Sequence, residues 1–139
     1  MWGMIRRDVM LEYPFPEPQG AKMRFFPESV IWDNMARKYK TRYIDVCLRG
    51  YYVDQENATT AKKADRSAEN IWLWSHYIND IDDYFKRQPK LFLKAYVGLA
   101  RDGKRLGKSY TEIKTMIEKR YKKGIFTLLY PAGAMLASR

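Results

Sequence analysis

The chain has 139 residues, 46% of them hydrophobic and 30% charged, with a net charge of +10. That length suits one domain able to bury a core without disulfides or a structural metal, and the balance excludes both a disordered segment and a membrane-embedded helix bundle. Eleven Tyr, six Phe and four Trp make up 15% of the residues; such rings are favoured where a surface is apolar on one side and wet on the other, which suits a subunit of an assembly better than a free monomer.

Residues 1–27 are expected to form an extended, proline-rich arm. Pro14, Pro16, Pro18 and Gly20 oppose a helix and favour polyproline conformation. Tyr13 and Phe15 between them are candidates to meet a partner surface or to pack on the chain's own domain. Met1 to Arg7 have neither the long apolar region of a secretory leader nor the Ser-rich, acid-poor length of a mitochondrial presequence, so any import address is expected to be internal or uncleaved.

A helical domain is expected over 28–124. Pro27 suits a first helical turn, and Trp32, Met35, Ala36, Tyr39, Tyr43, Val46 and Cys47 recur at three- and four-residue spacing up to Gly50, predicting a first helix. Cys47 is the single cysteine, so no internal disulfide forms and nothing points to an oxidising compartment. After a polar loop over 54–60, Thr59 or Thr60 is placed to cap a second helix running to about Arg87. Its stripe is Ala61, Ala64, Ala68, Ile71, Trp74, Ile78, Ile81 and Phe85, small at the start and bulky at the end.

Pro89 stops that helix and begins a third, whose apolar face is Leu91, Phe92, Ala95, Tyr96, Leu99 and Ala100, with Gly103 placed to close it in a left-handed cap. Ser109-Tyr110-Thr111-Glu112 is a capping box opening a fourth helix with Ile113, Met116, Ile117 and Tyr121 on one face and Gly124 at its end. Residues 125–139 follow as an apolar C-terminal tail, with no run of the ~18 apolar residues a bilayer span requires. The fold class predicted is therefore all-α: an irregular bundle of about four helices, with the N-terminal arm and the C-terminal tail outside it.

Catalysis by nucleophile, base and orienter is not expected, because His76 is the single histidine and Cys47 lies on another helix. Gly103-Lys104-Arg105-Leu106-Gly107-Lys108 lacks the spacing of a phosphate-binding loop. His76, Asp80 and Asp83 share a helix face as potential metal ligands, but Asp82 with Lys86 and Asp83 with Arg87 stand four apart in acid-first order, which reads as helix salt bridging. No cofactor, metal or small-molecule substrate is expected.

The informative feature is the distribution of charge. Between Lys86 and Lys123, thirteen Lys/Arg face Asp102, Glu112 and Glu118, so this window holds the entire net charge of +10. Arg101, Lys104, Arg105 and Lys108 precede a helix N-terminus and are the leading anion-binding candidates. Lys119, Arg120, Lys122 and Lys123 form a second cluster, where complementing a helix dipole and solubility compete with anion binding. Basic residues beside Ile125, Phe126, Leu128, Leu129 and Tyr130 match a protein resting on an anionic membrane; the same tail would also serve a groove on a protein partner, or its own core.

These features point to a non-catalytic accessory subunit of a large multi-protein assembly. The location expected is the mitochondrial inner membrane, with an ATP synthase or respiratory complex as host, and the basic face meets anionic phospholipid or an acidic protein subunit. The alternative is a mitochondrial ribosomal or other RNA-associated protein whose 86–123 segment contacts phosphates. Sixteen acidic residues and the absence of an RNA-binding consensus weigh against it.

Overall fold

The computed structural model describes residues 5–15, 27–40, 42, 66–84 and 86–138. Among the described residues the chain is all-α: α1 (Arg7–Glu12), α2 (Ser29–Lys38), α3 (Ser67–Asn79), α4 (Pro89–Arg105), α5 (Tyr110–Thr115) and α6 (Arg120–Ala137), with a 3₁₀ turn at Asp82–Tyr84. The predicted all-α class holds; four of these helices exceed six residues, but they are not the four expected, since α6 runs through the segment read as a tail and the predicted fourth helix is the short α5. None is long and apolar enough to cross a membrane.

The core is built around α4, which packs against both α3 and α6. Phe92, Ala95, Tyr96, Leu99 and Ala100 are its buried stripe, and Ile71, Trp74, Ile78, Ile113, Ile117 and Phe126 close over it. Burying each of the larger side chains contributes about 1.5–3 kcal/mol, so this cluster accounts for most of the bundle's cohesion. The approach of α6 is set by Gly133: a Cβ there would stand 2.5 Å from the Ala100 Cβ and 2.5 Å from the Val97 carbonyl oxygen. The two backbones touch because glycine has no side chain.

A smaller cluster of Val9, Ile31 and Met35, with Tyr13 and Tyr39 at its edge, holds α1 to α2. The Lys38 ammonium and the Tyr39 hydroxyl both donate to Glu12. Arg37 ties this unit to the end of α3, donating to the Asp80 carbonyl at 2.7 Å and to the Asp83 carboxylate, with its guanidinium 5.8 Å from the Tyr84 ring centre.

Several boundaries differ from the sequence expectation. Within the expected extended arm, Arg7–Glu12 forms a helical turn and a half, since Val9 buries against α2 and the prolines begin only at Pro14. The first helix buries Val30, Ile31 and Met35, leaving Trp32 and Ala36 exposed, and the backbone turns extended at Tyr39. The second stops at Asn79 rather than running to Arg87. Arg105 ends α4; Gly103 is buried inside the helix, and the left-handed residue is Gly107 at φ 73°.

The largest revision is at the C-terminus. The helix opened by the capping box is only α5, and Gly124 lies inside α6, so the boundary expected at residue 124 falls within a helix. Pro131 also sits within α6. It is exposed, as is Thr127, whose carbonyl loses its helical donor to the proline, so water can satisfy that group. Tyr43, Val46, Cys47, Gly50, the 54–60 loop, the Thr59 and Thr60 caps, Ala61, Ala64, Phe85, Pro16, Pro18 and Gly20 lie outside the described residues.

Candidate anion-binding and interface surface

The cations of 86–123 fall into groups with different environments. Lys122 points inward and is 1% exposed. Its ammonium donates to the carbonyls of Ile78 and Asn79 at the end of α3 and pairs with Asp82 at 2.8 Å. Lys119 and the Tyr121 hydroxyl reach the same carboxylate at 3.2 and 3.1 Å. Burial pushes the Asp82 carboxyl up, but hydrogen bonds from Lys122, Lys119 and Tyr121 outweigh it and hold the group down at about 2. Lys122 is therefore a structural cation, not an external anion ligand, and Lys119 is already engaged.

Arg101 is also partly committed. Its guanidinium grips Asp102 through two contacts of 2.7 and 2.9 Å, and Asp102, wholly buried, accepts from the Trp74 indole N–H at 2.9 Å. A buried carboxylate needs such partners, because leaving it bare in the core costs several kcal/mol. The expected local pairs of Asp82 with Lys86 and Asp83 with Arg87 are replaced by tertiary ones, Asp82 with Lys119 and Lys122, and Asp83 with Arg37. His76, Asp80 and Asp83 do not converge: His76 is buried with Nδ1 2.7 Å from Asp80 and its ring stacked on Trp72, while Asp83 turns to Arg37. No metal-holding cluster occurs among the described residues.

What remains outward is a stripe along α4. Lys90, Leu93, Lys94, Val97, Arg101, Lys104 and Arg105 recur at three- and four-residue spacing on the side away from the core, and only Val97 and Arg101 are half-buried. Lys94 lies over the Trp74 ring at 6.0 Å. Beyond α4, Lys108 is held by a tight corner: Gly107 N–H donates to the Lys104 carbonyl and Lys108 N–H to the Gly103 carbonyl, each at 3.0 Å, the pattern of a Schellman stop. The capping box follows at once, with Ser109 accepting from Glu112 N–H while the Glu112 carboxylate accepts from Ser109 N–H and its hydroxyl. Two of the helix-start amides, those of Ser109 and Glu112, are thus already taken, and the Glu112 carboxylate among them opposes an incoming anion, so recognition in this loop falls to the side chains.

The expected interface residues divide by helix face. Phe126 is completely buried, stacked on Tyr110 and edge-on to Tyr130, so it belongs to the core and not to an external contact. Ile125, Leu129 and Tyr130 pack partly against that core. Leu128 is 82% exposed, and it shares the outer face with Tyr121 at 61%, Met135 at 70% and the exposed Ala132. Arg120 is exposed in the first turn of α6, whereas Lys123 is half-buried on another side of the helix from Leu128. Tyr13 meets Tyr39 edge-on at 6.4 Å and is half-buried, whereas Phe15 stays exposed.

Sequence reading missed two contributors, Asp82 and Asp102. Asp102 had a visible signal, an acid beside Leu99, Ala100 and Gly103 on an otherwise apolar face. Lys122 had one too, standing four residues before Phe126 and eleven before Gly133 on the inward face of α6. No protein-family model, curated protein or solved structure gives a significant match to the chain.

Proposed function

We propose that the chain is a non-catalytic accessory subunit of a large multi-protein assembly, held against an anionic membrane by the outer faces of α4 and α6. The observation that carries this reading is the solvent-facing stripe of Tyr121, Leu128, Ala132 and Met135 on a helix whose first turn is basic and which crosses α4 beside Arg101. Exposed apolar side chains at this density mark a contact surface. Cations confined to one end of this apolar face favour a phospholipid headgroup layer over bare nucleic acid, since phosphates alone give Leu128 and Met135 nothing to bury against. Each basic residue near such a surface contributes about 1 kcal/mol, and a buried Leu or Met about 1.5–3 kcal/mol. The mitochondrial inner membrane is the location we favour, with an ATP synthase or respiratory complex as host; the aromatic content and the N-terminal segment support contact with neighbouring subunits.

Flotation with phosphatidylcholine vesicles, with and without cardiolipin, tests the membrane contact. Binding is expected only with cardiolipin, to weaken with salt, and to fall at least about ten-fold in a Leu128→Asp, Met135→Asp double variant that keeps its helix content. Equal binding to both vesicles, no binding to either, or RNA binding that ignores the α6 substitutions would overturn the reading.

A further inference from the structure

A second surface lies on the other side of the cationic corner. Ala68, Ile71, Trp72 and Ser75 of α3 face Leu106, Lys108 and Met116 across a groove of about 330 Å³. Its lining surface is almost wholly apolar, with Ser75 and Lys108 the polar residues on it. Lys108 cannot swing away with its backbone, because the Schellman stop and the capping box fix the residues on both sides of it. Lys104 and Arg105, exposed with no carboxylate partner among the described residues, belong to the outward stripe of α4 and leave Lys108 as the cation on this lining. Glu112 is the acid that faces Lys108, and its carboxylate is already occupied by Ser109.

An apolar trough with one lysine anchored at its edge is complementary to a molecule with an apolar body and a negative end. The volume sits at the lower limit of ligand sites, which fits one acyl chain and not two. We infer that the groove between α3 and the α4–α5 corner binds a single-chain anionic amphiphile, its chain against Ile71, Trp72 and Met116 and its head on Lys108. This inference does not depend on the membrane contact of α6, which uses other residues.

Titration calorimetry with decanoate, decyl phosphate and decyltrimethylammonium, all below micelle formation, tests it on the full chain, alongside the Trp72 indole N–H resonance. Saturable one-to-one binding of the two anions with a shift of the Trp72 signal is expected, and whichever anion binds more tightly identifies the head group. Lys108→Glu should weaken binding about ten-fold, the loss of one charge-assisted contact. Ser75→Leu, which fills the trough, should abolish binding while still floating with cardiolipin vesicles, and Leu128→Asp should leave decanoate binding unchanged. Binding of decyltrimethylammonium equal to that of decanoate, no saturable binding of either anion, or undiminished binding in both Ser75→Leu and an independent Ala68→Leu variant would overturn the inference. The paired variants separate failure here from failure of the membrane contact.

Discussion

Replacing Gly133 with alanine puts the helix crossing at the heart of this bundle to a quantitative test. The added Cβ would lie 2.5 Å from Ala100 Cβ, 2.5 Å from the Val97 carbonyl oxygen and 3.1 Å from the Arg101 amide nitrogen. All three belong to backbone or to a side chain with no rotamer to change, so relief requires α6 to move about 1 Å away from α4. A gap of that size forfeits about a quarter to a half of the dispersion energy across a contact, and overpacking of this kind costs about 1–3 kcal/mol. Here the upper end applies, because no neighbour can yield. Alanine returns about 1 kcal/mol over glycine through helix propensity, leaving a net loss of about 2 kcal/mol, or about 6–8 °C in Tm for a chain of this size. Gly124 is the internal control: it lies in the same helix with open space, nothing within 4 Å, where an alanine methyl group would stand, so Gly124→Ala should gain about 0.5–1 kcal/mol. Urea and thermal unfolding followed by circular dichroism would measure both. A Gly133→Ala protein as stable as the parent would show that the crossing is not set by backbone contact and would refute the packing argument.

The acid sensitivity of the bundle should trace to Asp82. Its folded pKa of about 2 lies below the ordinary 3.8, so its stabilisation is fully present above about pH 4 and is lost as pH falls through about 2. At 1.36 kcal/mol per pH unit the bound is about 2 kcal/mol, which solvent screening of a side chain 27% exposed reduces to about 1 kcal/mol. Denaturation midpoints at pH 5 and pH 2 for the parent and Asp82→Asn would show whether the difference between them narrows in acid, as expected. Lys122→Met keeps the volume but removes the donor to Ile78 and Asn79 and the closest cation to Asp82; a loss of about 1–3 kcal/mol is expected, below the 3–5 kcal/mol of a fully buried broken pair because Lys119 and Tyr121 remain. In that variant the acid transition should also move to higher pH, and an unchanged transition would exclude Lys122 as the main partner.

How far the sequence revealed this architecture depends on how local the deciding force is. The inward faces of α3 and α4 were legible because Ile71, Trp74, Ile78 and Phe92, Ala95, Tyr96, Leu99 keep a helical period, and the capping box was legible because both of its hydrogen bonds lie within four residues. The break after Asn79 was not, since the Asp82 and Asp83 charges that would sustain a helix through local pairs instead bond to Lys119, Lys122 and Arg37, each more than thirty residues away. The continuity of α6 was hidden for a related reason: Gly124 and Pro131 weaken a helix taken alone, and packing of Lys122, Phe126 and Gly133 overrides them. The candidate surface was half legible. Lys104, Arg105 and Leu128 face out as expected, but reading the segment after Gly124 as irregular tail concealed that Phe126 and Lys122 share an inward face.

Lys122 also bears on how the chain finds a single arrangement. Gly133 sets how closely α6 approaches α4, but apolar side chains such as Ile125, Leu129 and Tyr130 have no directional bond of their own to fix how the helix is turned. Turning α6 by one residue would carry the ammonium away from the Ile78 and Asn79 carbonyls and from Asp82, stranding a dehydrated charge at a cost of several kcal/mol. The oily contacts thus supply adhesion, and one lysine among them acts as the key that fits only one orientation of the lock.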